Sequence, residues 1–123
     1  MSDEDLGLLF PGETPEQVAA RWLSQGASLV AVTRGRNGAS AWTRNAQADV
    51  PTPETKVIDT VGAGDTFQAA MLTWLDEHDA LAPETLGGLD AARLDALLTF
   101  AARAAAITCS RRGADMPRRA ELD

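Results

Sequence analysis

Apolar positions recur at helical spacing in three stretches of the chain. From Pro15 to about Gln25, Val18, Ala19, Trp22 and Leu23 form one stripe. Thr14 suits the N-cap, Pro15 the first helical position, and Thr14 with Gln17 makes a capping box. Gly26 ends this helix. A second helix is predicted from about Gly64 to Glu77, where Phe67, Ala70, Met71, Trp74 and Leu75 fall on one face. A third runs from about Asp90, a good N-cap, to Cys109, with Leu94, Leu97, Leu98, Ala101, Ala104, Ala105 and Thr108 on one face. Its alanine run over 101–106 lets a neighbour approach closely.

The stretches between read as strands and turns. Ser28 to Thr33 is short, apolar and β-branched, as a buried strand should be. Asn37-Gly38 signals a turn, and Ala39 to Thr43 returns as a second strand, so a hairpin is expected. Asp49 to Pro53 carries two prolines and reads as a connection or edge segment. Lys56 to Asp59 is expected as a short strand feeding a glycine-rich turn. Residues 78–89 contain Pro83, Gly87 and Gly88 and read as a loop, with room for one short turn. Arg111 and Arg112 suit a helix C-terminus, Gly113 a stop, and the charged tail after Pro117 reads as frayed. Helices interleaved with strands give an α/β class.

Composition narrows the chemistry. The chain has 123 residues, 45% hydrophobic and 24% charged, a profile of one globular domain with a real core. Apolar runs are short, so neither a transmembrane helix nor a signal-peptide core is expected, and no membrane partner. Eighteen acids against eleven bases give a net charge of -7, which disfavours nucleic acid as a partner. The single Cys109 fits a reducing, cytoplasmic setting, and the single His78 argues against a histidine metal site. His78 is read as a solvated surface residue, and Trp22, Trp42 and Trp74 as packing. Cys109 lacks a neighbouring His or Cys, so core or pocket lining is its default.

The sharpest chemical feature is Asp59-Thr-Val-Gly-Ala-Gly-Asp-Thr-Phe67. A short strand, a Gly-x-Gly turn and a helix start follow one another. Glycines permit positive φ and close ligand approach, and the first helix amides point outward unpaired. Together they can hold an anion. Two readings fit this spacing. Gly62 and Gly64 shape a tight turn and Asp65 caps the helix, or Asp65 is a base beside a bound phosphate. No Gly-Lys-Ser/Thr follows, which excludes a Walker-type loop. Phe67 stands where a dinucleotide fingerprint needs its third glycine.

Asp59 to Phe67 resembles the signature of the ribokinase–fructokinase family, the pfkB carbohydrate kinases. Val32-Thr-Arg-Gly-Arg-Asn-Gly-Ala39 resembles the strand and turn upstream of that signature. Ala104 to Ala114 (AAAITCSRRGA) resembles its C-terminal helix, with wording most like bacterial fructokinases. The resemblance implies a ribokinase-like three-layer α/β/α fold, Rossmann-like in character, of which this chain is the C-terminal, nucleotide-side portion. It implies ATP-dependent phosphorylation of a sugar hydroxyl, fructose first, with Mg2+ and in some members a monovalent cation such as K+. By the same resemblance Asp65 matches the catalytic base, and Gly62, Ala63 and Gly64 the anion hole. Asp59 and the Val61 carbonyl match the surroundings of the monovalent cation. Thr33, Gly35 and Gly38 match residues beside the nucleotide, and Cys109, Gly113 and Ala114 the adenine pocket. Arg111 or Arg112 would stand near nucleotide phosphates.

Two positions depart from the family pattern. Ala102 stands where many members have Asn, which leaves an adenine-side contact absent or to Arg103. Ser2 to Asp5 stands where many have Asn-x-x-Glu, a motif linked to magnesium; a helix N-cap followed by acids explains the same residues. Family members are well over twice this long, and most sugar contacts fall in their earlier part. A non-catalytic reading therefore stands beside the kinase: an α/β piece that binds adenine nucleotide at most, self-associates, or pairs with an N-terminal half.

Overall fold

The computed structural model describes residues 1–122. The sheet has three antiparallel strands in the order β1-β2-β3, β1 being Val30–Thr33, β2 Ala39–Trp42 and β3 Gln47–Val50. Val30 pairs with Trp42 and Thr33 with Ala39; Ala39 then pairs with Val50 and Trp42 with Gln47. The expected hairpin is present. The Asp49 to Pro53 segment is half edge strand and half connection, because Pro51 cannot continue the ladder of β3.

Alternation along the strands sends two sets of side chains to opposite faces. Val30, Val32 and Trp42 point to one face, where Leu6, Val18, Ala19 and Leu23 meet them. Leu6 belongs to α1 (Asp3–Leu9) and the others to α2 (Pro15–Ser24). Ala39, Ala41, Ala48 and Val50 face the other way, into the larger core. There α5 (Ala91–Cys109) lies on β2 and β3, and α3 (Ala63–Glu77) packs against α5. Helix, sheet and helix thus form three layers. Ala101, Ala102 and Ala104 are buried on α5, so the alanine run does bring it close to its neighbours.

The helix caps follow the sequence. Thr14 and Gln17 exchange hydrogen bonds in a capping box, Asp90 accepts from the Arg93 amide, and Ser2 accepts from the Asp5 amide. Ser2 to Asp5 is therefore a helix start with acids in its first turn. Ser2 also forms a parallel bridge with Thr33, alongside β1.

Two expectations are corrected, on Lys56 to Asp59 and on the tail; the short turn expected within 78–89 is a short helix. Lys56 to Asp59 is not a strand. The Ile58 and Asp59 N–H groups donate to the Cys109 carbonyl at 2.8 and 3.1 Å, so the loop hangs on the end of α5. The 78–89 loop holds a short helix, α4 (Pro83–Gly87), with Pro at its first position. The tail is not frayed: Arg119–Leu122 forms a 3-10 turn, Leu122 is buried, and Arg119 pairs with Glu77 at 2.8 Å. Arg111 pairs with Glu121 and Asp115, so it serves this tail. His78 is exposed but stacks on Trp74, with ring centroids 3.8 Å apart. No helix among the described residues is long and apolar enough to cross a membrane.

Candidate functional site

A cavity of about 390 Å³ opens where β1, the turn after it, the 52–60 loop, the start of α3 and the end of α5 converge. Its walls are mostly apolar: Phe67 from α3 and Ala102, Ala105, Ala106 and Cys109 from α5. Small residues there leave width for a flat ring system. Burial, helped by the negative charge of Asp59, pushes the Cys109 thiol up from its ordinary value. Cys109 is thus a neutral wall residue at pH 7 rather than a nucleophile.

The opposite wall is the turn after β1. Residues Gly35–Asn37 form a 3-10 turn closed by Gly38. Gly38 has φ 95, and a Cβ there would stand 2.1 Å from the Val50 carbonyl oxygen. Only glycine lets this turn close on β3. Thr52 Oγ1 donates to the Gly35 carbonyl at 2.6 Å and ties the turn to the following loop.

The start of α3 forms the third side. Gly62 is its N-cap, with φ 81 in the left-handed region, and no side chain caps the helix. A Cβ on Gly62 would lie 2.7 Å from the Ala114 Cβ. Gly64 differs from expectation: it is helical, with open space where a Cβ would stand. Positive φ is thus needed at Gly62 alone. The Ala63 N–H turns back to the Thr60 carbonyl at 3.2 Å. Among the described residues the amides of Gly64 and Asp65 have no hydrogen-bond partner, and Asp65 itself is exposed with no capping bond. The capping reading of Asp65 therefore lacks its hydrogen bond. What remains is two outward amides beside a free carboxylate.

Asp59 braces this turn. Its Oδ1 accepts from the Val61 N–H at 2.9 Å and its Oδ2 from the Gly113 N–H at 3.0 Å. These two bonds hold its carboxyl below the ordinary value. Behind it, the Thr66 and Thr108 hydroxyls meet at 2.9 Å, both buried, and join α3 to α5.

The structure brings Thr33, Gly35, Gly38, Ala63, Gly64 and Cys109 to one cavity. Asp65, Gly62, Asp59 and Val61 stand at its α3 end but outside its walls. Gly113 and Ala114 are not walls either; the Asp59 carboxylate and Gly62 draw them onto the turn. Arg36 is also a wall residue, and its place between Gly35 and Gly38 is the only sign of this in the sequence. Among the described residues no cluster of three or more His, Cys, Asp or Glu side chains could hold a metal ion.

A family model described as pfkB family carbohydrate kinase matches residues 1–120. A fructokinase of Rhizobium leguminosarum bv. trifolii is 42% identical over 89 residues, covering 72% of this chain and 27% of that protein. The structure of a fructokinase with bound ATP from Xylella fastidiosa aligns with TM-score 0.83 and 29% identity, covering 98% of this chain and 39% of that one. A chain described as a Ribokinase II from E. coli, in complex with ATP and Mg2+, aligns with TM-score 0.78 and 32% identity, covering 98% and 36%. The three-layer α/β arrangement is accordingly that of the ribokinase–fructokinase fold. This chain spans about a quarter of the length of the rhizobial relative. Because the family match runs through nearly every residue of the chain, this protein belongs to the pfkB family of carbohydrate kinases.

Proposed function

We propose that this chain supplies the nucleotide side and the phosphoryl-transfer centre of an ATP-dependent sugar kinase. One observation carries the reading. The unpaired amides of Gly64 and Asp65, and the free carboxylate of Asp65, stand beside a ring-sized apolar cavity. ATP, bound with Mg2+ on its phosphates, supplies the transferred group. Magnesium takes most of its ligands from phosphate and water, so it asks few carboxylates of the chain. The α5 wall takes the adenine, and Thr33, Gly35 and Gly38 pass beside the nucleotide. The amides of the Gly62 to Asp65 turn stabilise charge on the phosphoryl oxygens. Asp65 accepts the proton of the attacking sugar hydroxyl. Asp59 and the Val61 carbonyl form the place for a monovalent cation behind the turn. The lone Cys109 supports a reducing cytoplasmic setting.

Fructose is the acceptor to test first, since the rhizobial relative is named for it. The assay is ADP formation from ATP by the longest polypeptide that carries this chain, with fructose, ribose or no sugar. Fructose-dependent ADP formation is expected. ADP formation that no sugar stimulates would contradict the reading. Val57, Ile58 and Val61 lie exposed on the segment that leads into the glycine turn, and favour a second reading of the chain alone. In it the chain binds nucleotide but turns over no sugar until another segment, or a second copy, covers that loop. Turnover by the 123-residue chain alone would contradict it.

A further inference from the structure

The cavity wall carries a single charge. Of its lining residues Arg36 alone is ionised, and no carboxylate shares the wall. The two arginines of the Thr33 to Gly38 turn are spent differently. Arg34 pairs with Glu16 at 3.2 Å, away from the cavity. Arg36 is exposed and has no ion pair or hydrogen bond among the described residues. Its backbone is nevertheless fixed, because Gly35 is tied to Thr52 and Gly38 is wedged against Val50. On a chain of net charge -7, an arginine without a carboxylate partner on the wall of an apolar cavity is a local exception.

We infer that Arg36 reads the phosphates of the nucleotide and so separates charged nucleotides from the uncharged nucleoside. The planar guanidinium fork matches phosphate oxygens and can meet two of them at once. The apolar walls cannot make this distinction, because adenosine and ADP present the same ring to them. The inference rests on the nucleotide reading of the cavity above. Its own content is that affinity for phosphate and affinity for the ring are carried by different parts of the wall.

The test is calorimetric titration of ADP and of adenosine into the chain and three variants. Arg36→Gln should weaken ADP binding roughly ten- to hundredfold and leave adenosine within about twofold. Arg36→Lys should fall between, since a point charge replaces the fork. Arg93→Gln, which removes the same charge from the exposed face of α5, should change neither ligand. Salt should weaken ADP binding to the parent chain more than to Arg36→Gln. If Arg36→Gln binds ADP as tightly as the parent, or loses both ligands equally, the inference is wrong while the nucleotide reading stands. If the parent chain binds neither ligand, the nucleotide reading falls and this inference with it.

Discussion

At the scale of single residues, Asp65 and Gly62 do separable things. Asp65 is solvent-exposed and makes no capping bond, so its carboxylate is free for chemistry. In an active polypeptide containing this chain, Asp65→Asn should lower turnover by about 10²–10⁴-fold, the usual worth of general-base assistance. The melting temperature should hardly move, since the substitution loses only an interaction with the helix dipole of about 0.3–1 kcal/mol. A variant with near-parental turnover would contradict the assignment. The two glycines predict opposite results in a denaturation experiment. Gly62→Ala forces a side chain into a left-handed backbone and against Ala114, so it should cost about 1–3 kcal/mol or more. Gly64→Ala sits in helical backbone with open space and should be neutral or slightly stabilising. The Gly-x-Gly spacing announced a turn at both positions. Which glycine bears the strain was not legible, because that depends on where α3 begins and on Ala114 arriving from 52 positions further along the chain.

At the scale of elements, the helices were the legible part. Thr14, Pro15, Gln17 and Asp90 are local signals that act within a few residues, and each cap is present. Lys56 to Asp59 looks like a strand and is none, for the opposite reason. A β-branched run shows what a strand would look like, but its amides bond to whatever is near, here the Cys109 carbonyl. Arg36 was missed because the sequence does not show which arginine of the turn meets Glu16. The link that matters most between elements is the buried Thr66–Thr108 hydroxyl pair, next to Asp65 on one side and Cys109 on the other. Thr108→Val should leave the Thr66 hydroxyl without its partner and cost about 1–3 kcal/mol. Thr108→Ser should recover most of that. Chemical denaturation of the two variants checks it, and equal stability of Thr108→Val and the parent would remove the link from the account.

At the scale of the whole molecule, three carboxylates tie distant parts together. Asp59 is held by the Val61 and Gly113 amides, Glu77 by Arg119 and Glu121 by Arg111, and each pKa is lowered. A lowered folded pKa contributes stability above the unfolded value and loses it as pH falls through the folded one. These groups should therefore leave the melting temperature level from pH 7 to about 5, then lower it below about 4.5, where carboxylates ordinarily begin to titrate. A melting temperature that rises on acidification below that point would contradict the assignment. The tail that Glu77 and Glu121 dock looks frayed in the sequence, because its charges suggest solvation and the partners Glu77 and Arg111 lie outside it along the chain. The α/β class, by contrast, is visible in the alternation of helical and strand spacing, whereas the three layers follow only from the resemblance of the motifs to the pfkB kinases. The central claim is that the β1 turn, the start of α3 and the end of α5 make one nucleotide site. Titrating the ¹⁵N-labelled chain with Mg-ADP and following its amide resonances tests this most directly. The account predicts shifts concentrated at Gly35 to Gly38, at Gly64 and Asp65, and at Ala105 to Cys109; saturating ADP that leaves these amides in place, or moves others instead, would contradict it.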